Sequence, residues 1–179
     1  MDWRRMLGFA GGNAKRTVFS SRINQISLTP DGTVRKQAGP AFSRGQYYYD
    51  PSHLLLREAA FLKELDGRYA PRLIAMEGTW LEMEYGGNEL SSENLPVDWQ
   101  RQVSEIEFVL ADTGIVHRDI KPGNLLVKDG KFNLIDFGWA IKVDEKPYVS
   151  PRELSSDVPR EHIYDNGAAL NWLISLYLD

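Results

Sequence analysis

Two polar clusters separated by short apolar runs hold the side chains best suited to chemistry in this chain of 179 residues. The first is His117-Arg118-Asp119-Ile120-Lys121-Pro122-Gly123-Asn124, and the second is Asp136-Phe137-Gly138. Between them, Leu125-Leu126-Val127 and Phe132-Asn133-Leu134-Ile135 flank Lys128-Asp129-Gly130-Lys131. An Asp-Gly step between hydrophobic runs predicts a hairpin with a type I′ turn, because both central residues of that turn need positive φ. With Asp129 and Gly130 as the loop, Lys128 faces Lys131, Leu126 faces Asn133 and Asn124 faces Ile135. Asn124 and Asp136 then converge at the open end of the hairpin. A carboxylate and a carboxamide oxygen suit Mg²⁺, which takes few protein oxygens and fills its shell with water and substrate phosphates. Asp119 lies on the loop just outside, where it can orient an acceptor hydroxyl and take its proton. His117 reads as a packed structural histidine, not a proton shuttle.

Other elements must hold these groups in place. Thr33-Val34 after the turn signal Pro30-Asp31-Gly32 predicts a strand that carries Lys36. Residues 51–65 read as a helix N-capped by Ser52, with Leu54, Leu55, Leu62 and Leu65 at helical spacing. Glu58 falls inside that apolar stripe, and a buried carboxylate needs a cation. Lys36 is the candidate partner; Glu64 lies off the stripe and reads as a solvated charge. Residues 72–78 and 79–87 read as two strands joined by a glycine-containing turn, and residues 96–113 as a helix with Trp99, Val103, Ile106 and Leu110 inward, ended by Gly114. Glu105 and Glu107 on it read as exposed charges. The predicted strands before Lys36 are residues 16–18 and 25–28. A last helix over 163–178 carries Leu170, Leu173, Ile174 and Tyr177 in a stripe widened by Trp172 and Leu176, a core element or a docking surface. Its length is short of the roughly 20 apolar residues of a bilayer span.

Residues 117–124 match H-R-D-x-K-x-x-N and residues 136–138 match D-F-G, so the chain resembles the protein kinase superfamily. That resemblance implies an α+β, bilobal fold: a small β-sheet lobe with one helix, then a reduced, mostly helical lobe. It implies one domain, with the first lobe over about 1–85, a hinge over about 84–90 and the second lobe over about 91–179. It implies Asp119 as base, Lys121 steadying the transferring phosphoryl group, and Asn124 and Asp136 as metal ligands. Arg118 answers to the arginine that often contacts the activation segment. Lys36 answers to the strand-three lysine that binds phosphates and pairs with a helix glutamate, here Glu58. Met83 answers to the gatekeeper, Glu84 and Tyr85 present backbone groups to adenine, and Glu89 reaches the ribose. Asp165 resembles the aspartate that holds the catalytic loop's backbone, and Ser150-Pro151-Arg152-Glu153 weakly resembles the A-P-E motif. The implied cofactors are ATP and Mg²⁺, with Mn²⁺ as an alternative. The chain departs from the pattern where a G-x-G-x-x-G loop normally covers the phosphates. Ser20, Ser21 and Arg22 stand in the expected turn and offer hydroxyls, backbone N–H groups and a guanidinium instead. A second departure is that only residues 139–179 follow the D-F-G motif.

The lysine in the catalytic loop resembles the serine/threonine pattern, so the leading expectation is a kinase with a Ser/Thr protein acceptor. The alternatives are a kinase acting on a sugar of lipopolysaccharide or another glycan, and a pseudokinase that binds nucleotide as a scaffold. Composition excludes other classes. The chain is 42% hydrophobic with no cysteine, so there is no disulfide framework and no cysteine metal site. Residues 1–48 carry eight Lys/Arg against two Asp/Glu, while the whole chain sums to −4, an acidic total that argues against a nucleic-acid binder. A basic first lobe beside an acidic second lobe suits a polyphosphate and its metal in the cleft. The first residues lack the apolar run of a signal peptide, so a cytoplasmic protein is expected, with export as an effector left open. Tyr47, Tyr48 and Tyr49 read as packing residues.

Overall fold

In the computed structural model, residues 18–20, 23–44, 47–146 and 158–178 are described. Strands come first: β1 (Val18–Ser20), β2 (Asn24–Leu28), β3 (Thr33–Ala38), β4 (Phe42–Arg44) and β5 (Tyr47–Tyr49). Helix α1 (Pro51–Leu65) follows, then β6 (Leu73–Glu77), β7 (Trp80–Glu84) and β8 (Asn88–Glu89). The remainder is α2 (Trp99–Asp112), β9 (Ile115–Val116), β10 (Leu125–Lys128), β11 (Lys131–Leu134), β12 (Ile141–Lys142) and α3 (Asn166–Ser175). A five-stranded antiparallel sheet in the order β1-β2-β3-β7-β6 builds the first lobe with α1. Helices α2 and α3 pack on each other in the second lobe, which also carries the β10–β11 hairpin extended by β8, and the small β9–β12 pair. This is the expected α+β, two-lobed architecture.

The hairpin forms in the expected register: Lys128 pairs with Lys131, Leu126 with Asn133, and the Ile135 N–H donates to the Asn124 carbonyl at 2.9 Å. Asp129 and Gly130 take φ of 51° and 72°, as a type I′ turn requires. Gln102, buried on α2, fixes the hairpin from below. Its Nε2 donates to the Gly130 carbonyl at 2.8 Å, and its Oε1 accepts from the Phe132 N–H at 2.9 Å.

Four boundaries differ from expectation, each for a local reason. Asp50, not Ser52, caps α1: its carboxylate accepts from the Ser52 N–H at 2.9 Å, and Pro51 takes the first helical position, where its missing N–H is no loss. Strand β1 runs on to Ser20, which pairs with Gln25, so Ser20 belongs to a strand and not to the expected turn. The N-terminus of α2 is Trp99, three residues later than 96. Helix α3 is shorter than 163–178. The Asp165 carboxylate accepts from the Ala168 N–H at 2.9 Å and caps α3, while Ile163 belongs to a turn that packs with Val158 and Trp139.

One apolar core runs through both lobes. Leu55, Phe61 and Leu62 of α1 join Leu81 and Met83 of the sheet, Leu125 and Leu134 of the hairpin, Ile106 and Leu110 of α2, and Leu170 and Leu173 of α3. The α3 stripe therefore faces inward, with Leu176 left half exposed. Among the described residues no helix is long and apolar enough to cross a membrane.

Candidate active site

Strand β3, helix α1 and the end of the hairpin meet at Lys36. Its Nζ donates to both Glu58 oxygens at 2.8 Å and to Asp136 Oδ1 at 3.0 Å, which matches the three donors of an ammonium group to three acceptors. The side chains of Lys36 and Glu58 are 4% and 1% exposed, so solvent contributes almost nothing to their charge balance. Burial pulls the lysine pKa down, but the Asp136 and Glu58 carboxylates override it and hold the ammonium protonated above its ordinary range. Burial also raises the Glu58 pKa against the pull of Lys36, whereas Lys36 keeps Asp136 low despite its burial.

Asp119 sits across the same space, 2% exposed. Its Oδ2 receives Lys121 Nζ at 2.9 Å and Asn124 Nδ2 at 3.1 Å, while Oδ1 is buried with no partner. Desolvation pushes its pKa up to about 6, against the pull of Lys121. A buried acceptor oxygen without a donor is expensive unless a ligand supplies one. A hydroxyl placed against Oδ1 would meet a carboxylate whose raised pKa makes it a stronger base.

Asn124 also donates from Nδ2 to the Asp119 carbonyl at 2.9 Å, which commits the amide nitrogen to Asp119 and leaves Oδ1 as the atom that could meet a cation. The Asp136 carboxylate lies next along the paired strand. Two hard oxygens from two residues form a weak site by themselves, and among the described residues no group of three His, Asp or Glu could hold a metal ion. Such a pair suits Mg²⁺ that arrives with phosphate oxygens of its own. The residues present therefore fit the implied metal.

Backbone strain marks the same positions. Arg118 and Asp136 take φ of 69° and 68° although neither is glycine. Each is over-determined by its surroundings. His117, fully buried, bridges the two motifs: Nδ1 accepts from the Asp119 N–H at 3.3 Å, so the proton sits on Nε2, which donates to the Ile135 carbonyl at 3.0 Å. Burial lowers its pKa to about 4, which keeps the imidazole neutral and structural. Its ring meets the edge of Phe137, itself fully buried, at 4.6 Å. Arg118 directs its guanidinium to the Trp139 carbonyl at 3.4 Å and the Tyr164 ring at 5.4 Å, at the start of the segment that follows the D-F-G motif.

The residues expected to form a hinge lie where β7 leaves the sheet. Met83 is buried in the core, paired across the ladder with Val34. The Glu84 N–H is already committed to the Arg72 carbonyl at 2.9 Å, so it is not available to a ligand edge. The Tyr85 hydroxyl donates to Asn88 Oδ1 at 2.9 Å. Gly87 (φ 111°) must be glycine, since a Cβ there would stand 2.2 Å from the Val127 carbonyl oxygen. The Glu89 carboxylate lies beside Gly123 of the catalytic loop. Ser20 belongs to β1, with Ser21 and Arg22 outside the described residues, as are Ser150, Pro151, Arg152 and Glu153.

The anchor of the catalytic loop is one residue from where it was expected. Asp165 is occupied with capping α3, and Asn166 holds the loop: its Oδ1 accepts from the His117 N–H at 3.0 Å, and its Nδ2 donates to the Ile115 carbonyl at 2.7 Å. An amide can serve a donor and an acceptor at once; a carboxylate could serve only the first. Asn133 was also missed. Its Nδ2 donates to the Gly86 carbonyl at 3.0 Å and ties the hairpin to the hinge. Asn166 and Asn133 are polar residues set within apolar sequence, and that is the one signal available.

The family model of the protein kinase domain matches residues 55–158, more than half of the chain, and the chain belongs to that family. It is 32% identical over 110 residues to serine/threonine-protein kinase CHK1 of Saccharomyces cerevisiae, a match over 47% of this chain and 21% of that protein. It is 37% identical over 76 residues to sperm motility kinase 3A of Mus musculus, covering 35% of this chain and 15% of that protein. The chain thus spans about a fifth or less of the curated relatives it matches. Among solved structures, Rio2 kinase from Chaetomium thermophilum in its ADP/Mg²⁺-phosphoaspartate complex superposes with a TM-score of 0.53 at 18% identity, over 74% of this chain and 49% of that one. That likeness is one of fold.

Proposed function

We propose that the chain is an ATP-dependent phosphotransferase that moves the γ-phosphate of Mg-ATP to a hydroxyl, with Ser/Thr of a protein as the leading acceptor. The observation that carries this is the meeting of Lys36, Glu58 and Asp136 in one ion cluster, from positions as much as 100 residues apart. Burying Lys36 and Glu58 beside Asp136 is costly, and a chain gains nothing in stability from it that apolar side chains could not supply. A site for polyphosphate gives the arrangement a purpose.

In this mechanism Lys36 exchanges its contact with Asp136 for phosphate oxygens while Glu58 holds the ammonium in place. Asn124 Oδ1 and the Asp136 carboxylate would hold Mg²⁺, which would supply neutralisation of the phosphate charge. Asp119 orients the acceptor hydroxyl through the unpartnered Oδ1 and takes its proton as the phosphoryl group transfers. Lys121, already on Asp119 Oδ2, turns to the transferring group and balances its charge. The whole chain as one bilobal unit, hinged near residues 84–90, is part of the same proposal.

The test is incubation with Mg²⁺ and γ-labelled ATP, with protein and glycan acceptors in separate arms. Asp119→Asn is expected to lower label transfer by at least about a hundredfold while leaving nucleotide binding intact. Nucleotide binding without transfer or hydrolysis in the wild type, whatever the acceptor, would overturn the proposal in favour of a scaffold. Transfer confined to the glycan arm would replace the acceptor class and leave the chemistry standing.

A further inference from the structure

Helix α1 can present Glu58 to Lys36 only in one rotational setting, and the residue before Glu58 is bound to something else. Arg57 reaches across to the segment after the D-F-G motif. Its Nη1 and Nη2 donate to Glu145 Oε1 and Oε2 at 2.8 and 3.0 Å, and Nη2 also donates to the Ala140 carbonyl at 2.7 Å. The acceptor is preformed. The Glu145 N–H donates to the Lys142 carbonyl at 2.9 Å, and the Lys142 N–H donates to Glu145 Oε2 at 3.2 Å, so a tight turn fixes the carboxylate before Arg57 arrives.

The same segment takes hold of α1 a second time. Lys142 Nζ donates to Glu64 Oε1 at 2.6 Å and to the Thr113 carbonyl at 2.5 Å. Arg57 and Glu64 are seven residues apart, two turns along one helix face, and Glu58 projects from the adjacent face. Closer to the motif, Gly138 lies against α1, where a Cβ would be in van der Waals contact with Leu54 Cβ at 3.4 Å. Residues 138–145 therefore grip α1 along most of its length. A rotation that withdraws Glu58 from Lys36 must break a two-pronged ion pair. Arg118 also feels the Glu145 charge, so this one carboxylate faces two guanidinium groups from two motifs.

We infer that Glu145 is a positioning residue: clamped by Arg57, its carboxylate holds α1 in the setting that keeps Glu58 on Lys36, without any added phosphate. The inference rests on the proposed phosphotransferase reading. In kinases generally, the glutamate-bearing helix is often brought into place by phosphorylation, which creates new arginine–phosphate pairs. A carboxylate received by an arginine fork supplies the same charge-assisted, two-pronged contact permanently. The site is therefore built in its assembled state.

The experiment uses the full chain after phosphatase treatment and removal of the phosphatase. Turnover of Mg-ATP and hydrogen exchange of the α1 amides are compared for wild type, Glu145→Gln and Glu145→Asp. The dephosphorylated wild type is expected to keep its full kcat. Glu145→Gln, which keeps shape but not charge, is expected to lose about five- to tenfold in kcat and to exchange faster across residues 54–62, with Glu145→Asp intermediate. The pair is about a third exposed, so unfolding temperatures should stay within a few degrees. Wild-type turnover that falls on dephosphorylation to the Glu145→Gln level would overturn the inference, as would unchanged kcat and exchange in Glu145→Gln. If the wild type has no turnover at all, the phosphotransferase reading fails, and the exchange data still decide the clamp.

Discussion

Replacing Lys36 by methionine separates what the ion cluster does for stability from what it does for chemistry. The substitution leaves Glu58, 1% exposed, and Asp136 facing each other with no cation between them. Removing one partner of a buried pair costs about 3–5 kcal/mol, because the remaining charge stays desolvated. Here two carboxylates remain, so the upper half of that range applies unless one takes a proton. Glu58→Gln is milder: Lys36 keeps Asp136 at 3.0 Å and one amide oxygen in place of two carboxylate oxygens, so a loss of about 1–2 kcal/mol is expected. The double variant Lys36→Met/Glu58→Leu removes both charges and fills the space with apolar atoms. It should return to within about 1–2 kcal/mol of wild type, because well-packed apolar side chains replace buried ion pairs at little loss. Urea or thermal unfolding measures all three; at this chain length about 1 kcal/mol shifts the midpoint by roughly 2–4 °C. None of the variants that lack Lys36 should turn over ATP. The reasoning is refuted if Lys36→Met is as stable as wild type, or if the double variant is less stable than Lys36→Met alone.

Two further outcomes follow from the same geometry. The neutral, buried His117 has its pKa lowered from 6.5 to about 4, so it stays unprotonated in the folded state while the unfolded chain binds a proton below pH 6.5. Folding stability is therefore unaffected by this group above pH 6.5 and is lost as pH falls towards 4, by roughly 3 kcal/mol in all. Of the three histidines, one imidazole resonance in an NMR titration should stay flat from pH 8 to about 5, and three midpoints between 6 and 7 would contradict it. Asn166→Ala breaks two backbone contacts at once and leaves the His117 N–H and the Ile115 carbonyl without these partners. It should destabilise by about 2–3 kcal/mol and lower kcat more than it raises KM, since it loosens the catalytic loop without touching nucleotide; Asn166→Asp, which restores only the acceptor, should be intermediate. Equal activity in Asn166→Ala would remove the residue from any positioning role.

Much of the site is legible in sequence where local chemistry dictates geometry. Asp129-Gly130 sets the turn, the turn sets the register, and the register brings Asn124 to Ile135. Glu58 is legible for a different reason: a carboxylate inside an apolar stripe demands a cation, and Lys36 is that cation. What escapes is decided by tertiary contact or by competition between neighbours. Asp165 and Asn166 are adjacent polar residues at a helix start, and only the three-dimensional path of the catalytic loop selects Asn166 to hold it. Ser52 and Asp50 compete to cap α1, and Pro51 settles the competition in favour of Asp50. The Arg57–Glu145 pair spans 88 residues between two exposed-looking charges, and no pattern in either segment announces it.

The position of Phe137 explains how a costly ion cluster can be held together. Phe137 follows Asp136 directly and is fully buried, with the His117 ring at 4.6 Å and the Phe61 ring of α1 at 6.5 Å. Full burial of one such ring contributes about 2–3 kcal/mol, the scale of stabilisation that a buried pair by itself fails to provide. Because Asp136 is the next residue along the chain, packing the ring fixes the carboxylate, and Phe61 lies three residues beyond Glu58 on the same helix. The apolar contact thus carries both carboxylates to Lys36 and offsets part of the cost of desolvating Glu58. It follows that the charges are aimed by the core beneath them, and that weakening the core at Phe137 should disorganise the cluster, while neutralising the cluster should leave the core intact.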